Sequence, residues 1–254
     1  MWRNTPSTRT RRDSRIKAIR QAVDDHFFSL VFQPIVAIDG GIVHHFEALT
    51  RFEKDVSPFD TIIVAEEIGA APEFDLSVTR EVLNIARNMA NRGQRADIAV
   101  NISGHSIQDI AFVETLIAML RASRPEGIGI LIEVTESATI DDLSRVNEHI
   151  QILRQAGYPV CIDDFQTGAE VFNYLKAFEV DFVKIDGAFS QFITAKGVDR
   201  TIVHSMLELC HQRQVAIIAE HIETESQARL LAAAGVQYGQ GYLFGRPTEL
   251  PTAQ

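Results

Sequence analysis

Cysteine is nearly missing from this chain: two in 254 residues, Cys161 and Cys210, far apart and without CxxC spacing. That scarcity excludes a disulfide framework and a thiolate zinc site, and leaves both residues as reduced, packed thiols. No apolar run approaches the roughly 20 residues that cross a bilayer. The N-terminus also lacks the apolar segment of a secretory signal, so the expectation is a cytoplasmic protein with no transmembrane segment. Cations are short as well. Lys and Arg number 24 against 34 Asp and Glu, a formal charge of -10, which is the opposite of the basic footprint that wraps DNA. An anionic ligand would therefore need local cations to offset the field. Low-complexity segments and short-period repeats are likewise lacking.

What is present is a chain with 46% hydrophobic residues, able to bury a large core and long enough for one α/β barrel or two small domains. A basic cluster, TRTRRDSRIK, precedes any clear core pattern. Residues 1–22 are read as a basic tail or linker, with contact to an anionic partner as the alternative, and 23–254 as the folded domain. From about residue 29, short apolar runs alternate with amphipathic stretches, the pattern of a parallel sheet with crossover helices. Strands are expected at 29–36, 42–52, 97–103, 128–136, 158–164, 181–186, 215–220 and 238–244. Helices are expected near 60–69, 75–91, 108–122, 141–156, 168–176, 198–213 and 224–234. Asp141 and Asp142 can cap one of them and Gly157 can end it; Thr224 and Glu225 open another that ends at Gly235. Asp39-Gly40-Gly41 leaves no room for a helix between the first two strands, so these form an antiparallel hairpin. The fold class is α/β: a modified TIM (β/α)8 barrel with one antiparallel strand.

The polar residues collect where such a barrel builds its sites. Glu47, Asn101, Glu133, Asp163, Asp164, Lys184, Glu220 and Gln240 all fall at or near C-terminal ends of expected strands, which converge on one face. One such residue would be a helix cap; eight from seven strands are too many for capping. Several carboxylates aimed at one pocket repel one another unless protons or cations intervene. The donors are hard oxygens, which favours Mg²⁺ or Mn²⁺ over zinc. The adjacent aspartates can serve two ions, an arrangement suited to in-line displacement at phosphorus. Lys184 among these acids can be a proton partner for an attacking water, or a plain ion pair with Asp163 or Glu133. Gln33 and Arg51, placed at the ends of the first two strands, suit a substrate phosphate and a base edge, or are ordinary surface residues.

The blocks FQPIV, FEALTRF, VNIS, IEVTES, IDDFQTG, VKID, AEHIET and GQGYLFGRP, in this order and spacing over about residues 25–248, resemble the EAL domain family of cyclic di-GMP phosphodiesterases. The resemblance implies a barrel of the kind read above and metal-dependent hydrolysis of cyclic di-GMP to linear 5'-pGpG. It implies two ions, Mg²⁺ or Mn²⁺, held by Glu47, Asn101, Glu133, Asp163, Asp164 and Glu220. It assigns Lys184 and Gln240 to the water, Gln33 and Arg51 to the substrate, and Glu136 to support of the loop after Asp164. A homodimer is a further implication of the resemblance, and because 254 residues leave no room for a full sensor domain beside the barrel, regulation is expected through a protein partner, oligomerisation or parts absent from this chain. Departures are local: DFQTGAEVF replaces the usual DFGTGYSSL, His221 stands where glycine is usual, and Thr50 where leucine is common. His221 reads as a bulky neighbour of the site in preference to a third-metal ligand. The altered loop motivates an alternative function, a catalytically weak cyclic di-GMP receptor acting through protein contacts.

Overall fold

The computed structural model describes residues 28–52, 57–135, 142–165, 169–186 and 198–250, together with helical positions between 13 and 23. Eight strands close into a barrel in sequence order. They are β1 (Ser29–Ala37), β2 (Val43–Arg51), β3 (Ile98–Ser103), β4 (Ile130–Thr135), β5 (Val160–Phe165), β6 (Phe182–Ile185), β7 (Ala216–Ala219) and β8 (Tyr238–Gln240). The helices are α1 (Pro58–Glu67), α2 (Ala71–Asn91), α3 (Gly104–Ile107), α4 (Ile110–Ala122), α5 (Leu143–Gln155), α6 (Ala169–Ala177), α7 (Val198–Gln212) and α8 (Glu225–Ala233). β1 runs antiparallel to both β2 and β8, and the remaining neighbours are parallel. The expected modified TIM (β/α)8 barrel and its one reversed strand are therefore present.

Local chemistry accounts for most boundaries. Asp142 accepts from the Arg145 amide to start α5, and Gly157, at φ 91°, closes the turn behind it. Thr224 and Gln227 form a reciprocal capping box at α8. The helix expected from residue 108 is two pieces, because Ser103 caps α3 and Asp109 caps α4 separately. The last strand stops at Gln240, short of the expected 244. There the chain turns: the amides of Phe244 and Gly245 both donate to the Gly241 carbonyl. Among the described residues no helix is long and apolar enough to cross a membrane.

Two apolar layers follow from strand alternation. Outward side chains such as Phe32, Ile98, Ile132 and Val183 pack under the helices. Ile19, which lies in the stretch read as a tail, is 1% exposed in this same layer, and Arg15 pairs with Asp60 of α1. Inward, Ile35, Cys161 and Ile218 plug the barrel, flanked by Phe182 and Tyr238. Both cysteines are free and buried. Two irregularities break the alternation: His44 is an extra residue in the β1/β2 ladder, and Asp163-Asp164 together stand opposite Lys184 in the β5/β6 ladder. Each is a bulge, which re-aims side chains beyond it.

Gly241 locks β8 against the chain after β7. Its φ is 156°, and a Cβ there would strike the backbone of Ile222, whose amide donates to the Gln240 carbonyl at 3.0 Å. Gly241→Ala should therefore lower unfolding stability by about 3 kcal/mol, from overpacking and backbone strain combined, as read by the midpoint of urea denaturation.

Candidate active site

Above the apolar plug, the next inward position of nearly every strand is polar. The barrel register sets the level: Gln33 pairs with Glu47, Asn101 with Glu133, and Lys184 stands opposite the Asp163-Asp164 bulge. At the centre is the Lys184 ammonium, fully buried. Its Nζ lies 3.1 Å from Glu47 Oε2, 3.1 Å from Glu133 Oε2, 3.2 Å from Asp163 Oδ2 and 3.2 Å from Glu220 Oε1. Two amides complete the ring: Asn101 Nδ2 donates to Glu47 Oε1 at 2.9 Å, and Gln240 Nε2 donates to Glu47 Oε2 at 2.7 Å. Gln33 reaches Gly245 O at 3.2 Å and accepts from Gln240 at 3.4 Å.

One buried cation facing four carboxylates leaves a surplus of negative charge. Lys184 has its pKa pushed well above the ordinary value: burial opposes the charge, but Asp163, Glu133, Glu220 and Glu47 together outweigh it. Glu47 is held below its ordinary value although burial works against it, because Lys184 and the hydrogen bonds from Asn101 and Gln240 favour the anion. Burial dominates for the other two glutamates, raising Glu133 to about 7 and Glu220 to about 8, with Lys184 offsetting only part. Left to itself the cluster holds protons to relieve the repulsion.

The donor chemistry fits a cation. Glu47, Glu133 and Asp163 present oxygens that all lie within 4.8 Å of one another. Asn101 Oδ1, Glu133 Oε1 and Gln240 Oε1 are buried with no hydrogen-bond partner, so three lone-pair-bearing oxygens converge on the same layer unsatisfied. A cavity of about 390 Å³ opens onto this layer from the strands' C-terminal side, with Gln33, Glu47, Arg51, Glu220, His221 and Gln240 in its wall.

The structure thus gathers Gln33, Glu47, Asn101, Glu133, Asp163, Lys184, Glu220 and Gln240 at one level, with Arg51 on the cavity wall above it. Gln33 differs from expectation in position: it sits at the middle of β1, not at a strand end, because β1 runs backwards and presents its centre to Glu47. Lys184 is not paired with one acid but with four. The Asp164 side chain and Glu136 lie outside the described residues, as does the loop beginning at Gln166. His221 adopts φ 55°, the left-handed region that favours glycine, and lines the cavity. Unforeseen participants are Tyr242, whose ring carries the Arg246 guanidinium at 4.0 Å on the cavity rim, and His45, buried beneath Glu133. The sequence signal for Tyr242 was the Gly-flanked GYLFG segment; for His45 it was the His-His pair just before Glu47.

A family model described as EAL domain matches residues 16–247. The chain is 29% identical over 234 residues to cyclic di-GMP phosphodiesterase PdeF of Escherichia coli (strain K12), covering 91% of this chain and 31% of that protein. It is 29% identical over 237 residues to cyclic di-GMP phosphodiesterase PdeB of Shewanella oneidensis, covering 91% and 28%. The chain therefore spans about a third of these relatives' length. Among solved structures it is similar to the PaMucR phosphodiesterase in complex with c-di-GMP, at 28% identity and a TM-score of 0.79, covering 92% of this chain and 97% of that one.

The raised carboxyl pKa values set a pH dependence with a definite sign. Glu133 and Glu220, with folded values of about 7 and 8 against 4.5 unfolded, bind protons that the unfolded chain has already released; Asp75, buried beside Ser103 and Ser106 and raised to about 7, does the same. Folding stability in a chelator should hence fall as pH rises from about 5 to about 9, by up to about 1.4 kcal/mol per pH unit for each proton. Calorimetric melting across that range checks it, and a stability that climbs with pH contradicts it.

Proposed function

The chain belongs to the EAL domain family, and from that premise we propose that it hydrolyses cyclic di-GMP to linear 5'-pGpG in a metal-dependent reaction. The observation that carries the reading is the buried acidic layer, four carboxylates around one lysine with one carboxylate oxygen and two amide oxygens lacking hydrogen-bond partners, at the foot of an open cavity. Glu47, Asn101, Glu133, Asp163, Asp164 and Glu220 would hold two ions, Mg²⁺ or Mn²⁺. Ions of that kind supply a polarised phosphodiester and an acidified water.

The chain's own residues do the rest. Arg51 and Gln33, on the cavity wall, bind the substrate, the guanidinium favouring a phosphate oxygen pair. Gln240, fixed by Glu47, and Lys184 orient the attacking water. Water oxygen joins phosphorus as the bond to the 3'-oxygen breaks; the water's proton is passed into the acidic layer and the leaving oxygen is protonated to a 3'-hydroxyl. Lys184, charged and fully buried, donates hydrogen bonds throughout and stabilises negative charge that builds on the phosphate. The plug of Ile35, Cys161 and Ile218 closes the floor, so water reaches the layer from the cavity side. Glu136 would support the loop after Asp164. The reading extends to a homodimer and to control by a regulatory protein partner.

Purified protein with Mg²⁺ or Mn²⁺ should convert cyclic di-GMP to pGpG on anion-exchange chromatography. Excess chelator should stop turnover, and Glu47→Ala, which removes the carboxylate that Lys184, Asn101 and Gln240 all address, should abolish it. Calorimetry in calcium separates binding from turnover. Wild-type protein that binds the dinucleotide in calcium yet forms no pGpG with either activating metal contradicts hydrolysis and establishes the receptor reading instead, for which the DFQTGAEVF segment is the motive.

A further inference from the structure

We propose that His45 is a positioning residue for Glu133, and that His44 sets His45 in the tautomer this task requires. The inference rests on the metal-dependent reading above and concerns two residues that reading leaves idle.

β2 carries the His45 imidazole into the barrel, with the exposed His44 beside it. The bulge at His44 breaks the alternation, so that His44 and His45 both meet the inward ring of Phe182, at centroid distances of 5.5 and 6.2 Å. Tyr238 holds His44 from another side at 4.6 Å. The rings are thereby fixed with their Nδ1 atoms 2.7 Å apart, a hydrogen bond in which one must donate and the other accept. On its far edge, His45 is 1% exposed and its Nε2 has no hydrogen-bond partner. Glu133 Oε1, itself buried and without a hydrogen-bond partner, lies 3.6 Å from that Nε2.

Two orphaned buried atoms thus stand against each other just beyond the hydrogen-bond range of about 3.2 Å, where a small swing of the carboxylate joins them. Which proton arrangement permits this is decided by His44. A neutral imidazole carries one N–H. If His45 donated from Nδ1, its Nε2 lone pair would face the oxygen lone pairs of Glu133. If His44 donates from Nδ1 instead, His45 accepts there and carries its hydrogen on Nε2, aimed at Glu133 Oε1; the other nitrogen of His44, an exposed residue, goes to solvent. Only the second arrangement satisfies both nitrogens of His45 while Glu133 is ionised.

Glu133 is then held at both oxygens, Oε1 by His45 and Oε2 by Lys184 at 3.1 Å. Each carboxylate oxygen has two acceptor directions, so one remains on each for a cation while rotation of the group is stopped. Such outer partners are what orient metal-ligating carboxylates.

The test uses the full chain without substrate and Mn²⁺ as the probe. In wild-type protein, ¹⁵N imidazole shifts should report the Nε2–H tautomer for His45; an Nδ1–H tautomer overturns the proposal. His45→Phe, which keeps the bulk and removes the donor, should weaken Mn²⁺ binding by about 10–100-fold in calorimetric titration. His45→Gln, whose amide nitrogen reaches the Nε2 position, should recover most of the loss. Mn²⁺ affinity unchanged in His45→Phe, whatever its melting temperature, overturns the proposal by reducing His45 to packing. Should His45→Phe not fold, His44→Ala takes its place: weakened Mn²⁺ binding supports the tautomer lock, and unchanged binding overturns it. Wild-type protein that binds no Mn²⁺ removes the metal-dependent reading itself, an outcome distinct from a variant that binds as well as wild type.

Discussion

Electrostatic surplus at the barrel centre is the constraint around which the rest is arranged. Two unit charges about 4 Å apart interact by about 4 kcal/mol at an effective dielectric of 20, and here four carboxylates share one ammonium. Lys184 neutralises one negative charge; protons or bound cations must neutralise others. The layer is therefore built to accept positive charge, and its cost in the absence of any is carried by the apolar shell that surrounds it. A site of this kind demands a rigid frame, since carboxylates free to turn outward would escape the repulsion instead of directing it at a ligand.

The frame is the closed barrel. Its plug of Ile35, Cys161 and Ile218 prevents the acids from retreating downward, and the Gly241 contact with Ile222 binds β8 to the segment that follows Glu220. Amides do the finer work. Asn101 and Gln240 each spend a donor on Glu47 and leave an oxygen without partner, so hydrogen bonding that stabilises the anion also exposes further lone pairs to the same space.

Much of this was legible in the sequence because strand periodicity and residue type agree. A run such as ILIEVT, apolar on both faces from Ile130 to Val134 except for one acid, reads as an interior strand with that acid turned inward, and Glu133 is there. The reversed strand was legible from the short Asp39-Gly40-Gly41 connection. What escaped has a common cause: it depends on departures from periodicity. The contact of His44 with His45 and Phe182 is hidden because a period-two reading of β2 has no place for the extra residue at His44. The turn after Gln240 is hidden because YGQGYLF alternates like a strand, and only the approach of the Ile222 backbone, 19 positions away in sequence, makes the left-handed stretch at Gly241 necessary. The central position of Gln33 follows from the same reversal of β1, once register and not strand end is the measure.

That reversal has a consequence for how the molecule is wired. In an all-parallel barrel the polypeptide enters at the end remote from the reactive face. Here Ser29, the first residue of β1, pairs with Arg51, so the chain enters at the mouth itself. Just upstream, Ile19 is sunk in the outer core and Arg15 grips α1, so this inlet is moored to the barrel wall. A push or twist delivered through residues ahead of β1 would arrive next to Arg51, on the cavity wall, without crossing the barrel.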